Sequence, residues 1–358
     1  MAHPAFPAEP ADLADDEALA IRVERAWTDG QADLIQSWRQ LESHSQALRA
    51  AAIPARLTAL NRENAPSFSP WHILSYHRIV RHLAAGGDPE TLPITPGALV
   101  DELDRAPAAG TVLAFADTEA VPPEPWQALL ELFQAGGDFL PDLEPPSGSD
   151  IRRMRTAIAE VRELLRLVDG TLATLMDRLQ PLLILAGPGP VSRGQGLNFG
   201  GATTFFFRGG SAINGVLPHT PATLLEVLVH EYAHAELFTL AQAQLLCRNS
   251  DDERHSVRIR RDARPMNGIL HGLHVSSRVA GLCTRLLQHG LAGRSDRAGL
   301  LSGIEEQRHH ARLNGLSCLE AAKKYGALTP LGREVMRAAA IRLGASADGS
   351  AAGLSPPA

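Results

Sequence analysis

Two histidines four residues apart, His230 and His234, enclose Glu231 in the stretch LLEVLVHEYAHAELFTL. On an α-helix each residue turns by about 100°, so the two imidazoles share one face and can reach a single ion. Glu231 is offset by one position, which in zinc peptidases leaves it as a general base on a metal-bound water. The pentad also arises by chance on amphipathic helices. Here Val227, Leu228, Val229 and Leu237 make the helix mostly buried. Unpartnered histidines and glutamates are costly there, and an ion would satisfy them.

A third protein ligand is required, and spacing sorts the candidates. Glu236, two residues past His234, points about 200° away from it. The continuation HExxHxxGxxH is absent, with Leu237 and Leu240 at those positions, and no glutamate occurs between Glu253 and Glu305. The next helical stretch, RPMNGILHGLHVSSRVAGL, offers His271 and His274 three apart, with Arg278 four further on, all on one stripe. His271 is the preferred third ligand, and His274 is expected beside the cofactor. Gly268 and Gly272 flank His271 and allow a second helix or a small ligand to approach closely.

LVHEYAHAEL followed at this distance by RPMNGILHG resembles the HExxH-motif proteins encoded beside ribosomally synthesised, modified peptides. That group includes 2-oxoglutarate-dependent peptide β-hydroxylases. The resemblance covers roughly residues 181–340, including FFFRGGSAINGVLPHTPATLLEVLVHE and ALTPLGREVMRA, and is weak before Asp150. It implies a zincin-like helical domain in which His230, His234 and His271 hold Fe(II) and Arg264 binds the 2-oxoglutarate carboxylate. Where the family carries a tryptophan-rich loop this chain has RIRRDARP, which keeps Arg264, Arg261 and Arg260 as alternatives.

The chemistry of the residues is compatible. Three facial ligands leave positions for a bidentate 2-oxo acid and dioxygen. Arginine suits the distal carboxylate, and Arg264, Arg278 and Arg208 are available. The expected reaction couples decarboxylation of 2-oxoglutarate to hydroxylation of a side-chain β-carbon in a precursor peptide, with the peptide supplied by the resemblance alone. Glu231 would then orient a ligand or water. The edge of the GGATTFFFRGG strand is a place for an extended peptide to add. Two other readings stay open: a zinc metallopeptidase with Glu231 as base, and a non-enzymatic helical adaptor in which the motif is incidental or a structural clip. His77, His82, His309 and His310 read as core or surface residues.

The elements that must position these groups are mostly helical. In a chain of 358 residues, 44% hydrophobic, 21% charged and 5% aromatic, the composition favours a folded, mainly α (α+β) protein. A helical amino-terminal region is expected over 1–148, with Gly30 and Pro54 as interruptions and Phe139–Asp150 as linker, Ser149 or Asp150 capping the next helix. The metal-binding catalytic domain follows over 149–343. Its only strand signals are PLLILAGPG and NFGGATTFFFRGG, which imply a small sheet. Residues 344–358 read as a disordered tail.

A net charge of −6 offers no basic face for nucleic acid or an anionic membrane. Cys247, Cys283 and Cys318 are odd in number and lack a CxxC pair, which fits a reducing cytoplasm. Neither a signal peptide nor a spanning segment is read. Oligomeric state is not legible.

Overall fold

The structure, a computed structural model, describes residues 13–62, 69–105, 107–135, 140–242, 244–258 and 262–345. The amino-terminal half opens with helices α1 (Asp16–His44), α2 (Gln46–Ala51), α3 (Ile53–Arg62), α4 (Pro70–Ala84) and α5 (Pro96–Asp104). Strand β1 (Thr111–Ala114), helix α6 (Pro123–Ala135) and strand β2 (Leu143–Glu144) follow. Then come α7 (Gly148–Val168), α8 (Gly170–Leu179), β3 (Leu182–Pro188), α9 (Pro190–Gly194), β4 (Gly201–Thr203), a 3₁₀ turn (Phe205–Phe207) and β5 (Gly210–Asn214). Four helices close the fold: α10 (Pro221–Ala241), α11 (Met266–His289), α12 (Arg297–Tyr325) and α13 (Pro330–Arg342). The protein is mainly helical with a small mixed sheet, as its composition implies. Among the described residues no helix is long and apolar enough to cross a membrane.

The sheet runs in the order β1-β3-β5-β4, with β1, β3 and β5 parallel, β4 antiparallel at one edge, and β2 antiparallel to the end of β3. β3 is buried on both faces, as its unbroken apolar run requires. Leu183 and Leu185 join the main core with α1, α7, α8 and α10–α13, whereas Leu182, Ile184 and Ala186 pack with α4 and α6 on the other side. A third cluster ties the end of α1 to α2–α5.

Several expectations are corrected. α1 runs unbroken through Gly30, where an added Cβ would collide with the Gln242 side chain, so this glycine permits helix contact instead of ending a helix. The chain breaks at Ser45 and at Ala52, which adopts a left-handed conformation. Residues 140–147 of the expected linker are integrated: β2 pairs with β3, and the Asp142 carboxylate accepts from the Val191 and Ser192 amides at the start of α9. Ser147, not Ser149 or Asp150, caps α7; Phe139 lies outside the described residues.

The boundary at 148/149 does not divide the packing, because β1 lies in the sheet and α1 lies in the main core. Phe205–Phe207 form the 3₁₀ turn, and the strand following it is GSAIN. At the carboxyl end Gly344, with φ of 68°, and Ala345 close α13 through bonds to Ile341 and Ala340. The rest of the expected tail, 346–358, lies outside the described residues.

Candidate functional site

Thr220 caps α10 and Pro221 occupies its first turn, which fixes the register that carries the histidine pair. Helix α11 starts at Met266 behind Pro265 and crosses α10. His271 is thereby brought to His234: their Nδ1 atoms are 3.2 Å apart and their rings are stacked with centroids 5.5 Å apart. His230 lies one turn away on α10, its ring centroid 5.2 Å from that of His234. Its Nδ1 meets Glu226 Oε1 at 3.2 Å. Of the three expected histidines, His271 thus meets His234, and His230 adjoins His234 along α10.

Burial holds His271 at about 4 and pushes His234 well below the ordinary imidazole value, with neighbouring histidines adding to the effect. Both are neutral donors at physiological pH, the form a metal takes. Ligand nitrogens about 2.0–2.1 Å from one ion lie roughly 3.0–3.4 Å from each other, and the His234–His271 separation falls in that range. Among the described residues no three His, Cys, Asp or Glu side chains are gathered to hold a metal ion. The neutral imidazoles fit an ion by their chemistry alone, and Glu226 holds the His230 ring by its Nδ1.

Glu231 is 3% exposed, and its Oε2 accepts from Thr203 Oγ1 at 2.8 Å, tying α10 to edge strand β4. Burial raises its pKa, opposed by His230 and the Thr203 bond. Thr203 Oγ1 lies 2.7 Å from Ser211 Oγ, which accepts from Gln180 Nε2 at 2.6 Å, so a buried polar chain fixes the carboxyl group.

Two clefts meet at the histidine cluster. One, of about 220 Å³, is lined by His230, His234, Glu226 and Arg264, by Gly268, Gly272 and Ser276 of α11, and by Gln307, His310 and Asn314 of α12. The other, of about 370 Å³, is lined by Phe205, Phe206, Phe238, Leu245 and Leu246 and reaches His271. Gly272 serves helix packing, since a Cβ there would press on Cys318 Sγ at 3.3 Å, whereas one at Gly268 would meet only Pro265. Arg264 is anchored by a backbone bridge to His255, with Nε 2.9 Å from Asp262 Oδ2. Asp262 is more than half exposed, so that pair binds the guanidinium only weakly. Arg258 is described but lines neither cleft, and Arg260 and Arg261 lie outside the described residues.

His274 and Arg278 are placed elsewhere, which corrects their expected role beside a cofactor. His274 Nε2 and Arg278 Nη2 meet the fully buried Glu236 carboxylate at 2.8 and 3.1 Å, and Tyr232 donates its hydroxyl to it at 2.5 Å. Arg278 Nη1 also bonds Asp16 at 2.6 Å, and Arg285 and Arg342 converge on the same aspartate. Burial alone would raise Glu236, but Arg278 and His274 hold it at about 2. A guanidinium 4% exposed and shared between two carboxylates has no face for a third. Arg208 also turns inward, onto Gln242 and the Phe205 ring.

Sequence reasoning missed Glu226 and His310. Glu226 precedes His230 by four residues, a spacing that signals contact on a helix. His310 sits on a helix far away in sequence, and nothing local marks it. No protein-family model matches the chain, and no curated protein matches it.

Proposed function

We propose that the chain is an Fe(II)- and 2-oxoglutarate-dependent oxygenase that hydroxylates a side-chain β-carbon of a ribosomally made precursor peptide. The observation that carries this reading is one arginine, Arg264, in the same small polar cleft as His230 and His234, with His271 against the latter. A zinc peptidase needs no such cation, whereas a dicarboxylate co-substrate does. His230, His234 and His271 would hold iron(II), which with 2-oxoglutarate as reductant and dioxygen as the oxidant would supply the chemistry for an unactivated C–H bond.

The chain's own groups do the rest. Arg264 grips the distal carboxylate, and Glu226 orients the His230 ring through its Nδ1. Glu231 is held in place by the Thr203 hydroxyl, directly after His230 on α10. Phe205, Phe206 and Phe238 wall the second cleft and exclude water from the side that reaches His271. Edge strand β4 offers backbone groups to an extended peptide.

The buried Glu231 carboxyl, raised by desolvation, also suits a general base, which keeps the zinc peptidase as the second reading. Anaerobic reconstitution with Fe(II) and 2-oxoglutarate separates the two. A weak visible charge-transfer band that is lost in His271→Ala supports the oxygenase. Stoichiometric zinc with Glu231-dependent peptide cleavage and no band overturns it. A protein that folds and takes neither metal returns the adaptor.

A further inference from the structure

A second polar cleft, of about 470 Å³, shares no lining residue with the histidine clefts. It lies between the approach to β1, at Ala109–Val112, and one face of α7. The α7 positions that line it, 155, 158, 159, 162, 163 and 166, follow helical periodicity. That face therefore places Arg155, Arg162 and Arg166 around one space. Ile158 and Ala159 keep its floor apolar and narrow.

Arg162 is the residue that needs an explanation. It is 8% exposed, and its Nε and Nη2 have no hydrogen-bond partner among the described residues. Its nearest carboxylate is Asp177, at 3.7 Å from Nη1, a long contact for a charged pair. Burial depresses its pKa, with Asp177 acting against that and Arg166 adding to it. A buried guanidinium this poorly satisfied is costly unless something else completes it. Gly110, with φ of 85°, crosses so close to Nη1 that a Cβ there would collide with it. The backbone at Gly110 thus packs directly against the guanidinium at the cleft.

The other two arginines are lightly held. Arg155 Nη2 donates to the Val112 carbonyl at 2.9 Å, and Arg166 Nη2 lies 3.2 Å from Asp177 Oδ2. Both are exposed, so each keeps donors within reach of a ligand. Among the described residues Glu163, on the same wall, is the one acid that lines the space. It disfavours a bare anion filling the whole cleft and suits a molecule that carries a hydroxyl or amine beside its anionic group.

We propose that this cleft binds a small molecule bearing a doubly charged oxyanion, phosphate or polycarboxylate, held by Arg155, Arg162 and Arg166. Forked guanidinium donors match such oxygens in pairs. The proposal is independent of the chemistry assigned to the histidine cluster.

Calorimetric titration of the full chain with inorganic phosphate, and separately with citrate, at fixed ionic strength tests it. Saturable binding of either probe is expected, and the probe that binds tells a phosphoryl group from a polycarboxylate. Arg155→Gln and Arg166→Gln should each weaken it by about tenfold, the loss of one charge-assisted hydrogen bond. Asp177→Asn, which removes the competing carboxylate, should tighten it, and Arg308→Gln on α12 should leave it unchanged. Equal unfolding midpoints for the two exposed-arginine variants and wild type show that the loss is local. No saturable heat with either probe, binding that survives the Arg155→Gln/Arg166→Gln double variant, or failure of Asp177→Asn to tighten it overturns the proposal.

Discussion

Replacing Arg278 by methionine removes the cation facing Glu236 while keeping much of the side chain's length. Glu236 sits at about 2 where its ordinary value is 4.5, because Arg278 and His274 together outweigh a burial that would raise it. That difference corresponds to about 3 kcal/mol of favourable interaction at neutral pH. Arg278 is the largest of the lowering influences, so most of it is lost in the variant. Breaking a buried pair from one side costs about 3–5 kcal/mol in general, and the surviving Tyr232 and His274 bonds place this case near the lower end.

The sign in pH follows. A carboxyl whose folded value is depressed contributes stability that is present above about pH 4.5 and is lost as pH falls toward 2. The gap between Arg278→Met and wild type should therefore be widest near pH 7 and narrow below pH ~4. Urea unfolding followed by tryptophan fluorescence at the two pH values measures it. The same preparations titrated with 2-oxoglutarate and metal supply the control: Arg278→Met should bind like wild type, whereas Arg264→Met should keep its stability and lose at least about tenfold in affinity. Unchanged stability with lost 2-oxoglutarate binding in Arg278→Met would refute the structural assignment and return this arginine to the co-substrate.

Three further outcomes are expected. His271→Ala should weaken Co(II) binding, followed by visible absorption, by more than the roughly 10–100-fold typical of losing an outer partner, and wild-type affinity would remove His271 from the ligand set. Burial lifts Glu102 to about 7, so its neutral form stabilises the fold below about pH 4.5 and that contribution is lost as pH rises to 7. Glu102→Gln should accordingly gain about 3 kcal/mol over wild type at pH 8 and less than about 1 at pH 5, as read from unfolding midpoints. Gly332→Ala would drive a methyl into the backbone carbonyl of Leu246, which has no rotamer to escape into. A loss of about 1–3 kcal/mol in thermal unfolding is expected, and none would mean that α13 shifts freely.

The helices around the chemistry were legible because their signals are local. Thr220 and Pro221 mark the start of α10, and the apolar stripe of α11 places that helix nearly to the residue. The approach of His271 to His234 followed from spacing and ligand chemistry. What sequence reasoning could not supply was which face of each helix meets which neighbour. His274 and Arg278 share a stripe with His271, yet α11 turns them onto Glu236 instead of the cleft. β1 was hidden because TVLA is short and intermediate in burial, and among the described residues it pairs only with a strand some seventy residues later. GSAIN was obscured by its small residues, which are buried because β3, β4 and α10 cover them.

The convergence of Arg278, Arg285 and Arg342 on Asp16 also bears on how the molecule is made. On a ribosome adding roughly 5–20 residues per second, α1 emerges on the order of 15–50 s before Arg278 exists to meet it. The 326 residues between Asp16 and Arg342 make this closure among the least local in the chain. Until it forms, Leu19, Val23 and Trp27 have no finished core to enter. A nascent chain therefore carries an amphipathic helix with its apolar stripe bare through most of synthesis, a natural hold for a chaperone, and slowing translation should raise aggregation of this protein more than that of a helical bundle with only neighbouring contacts.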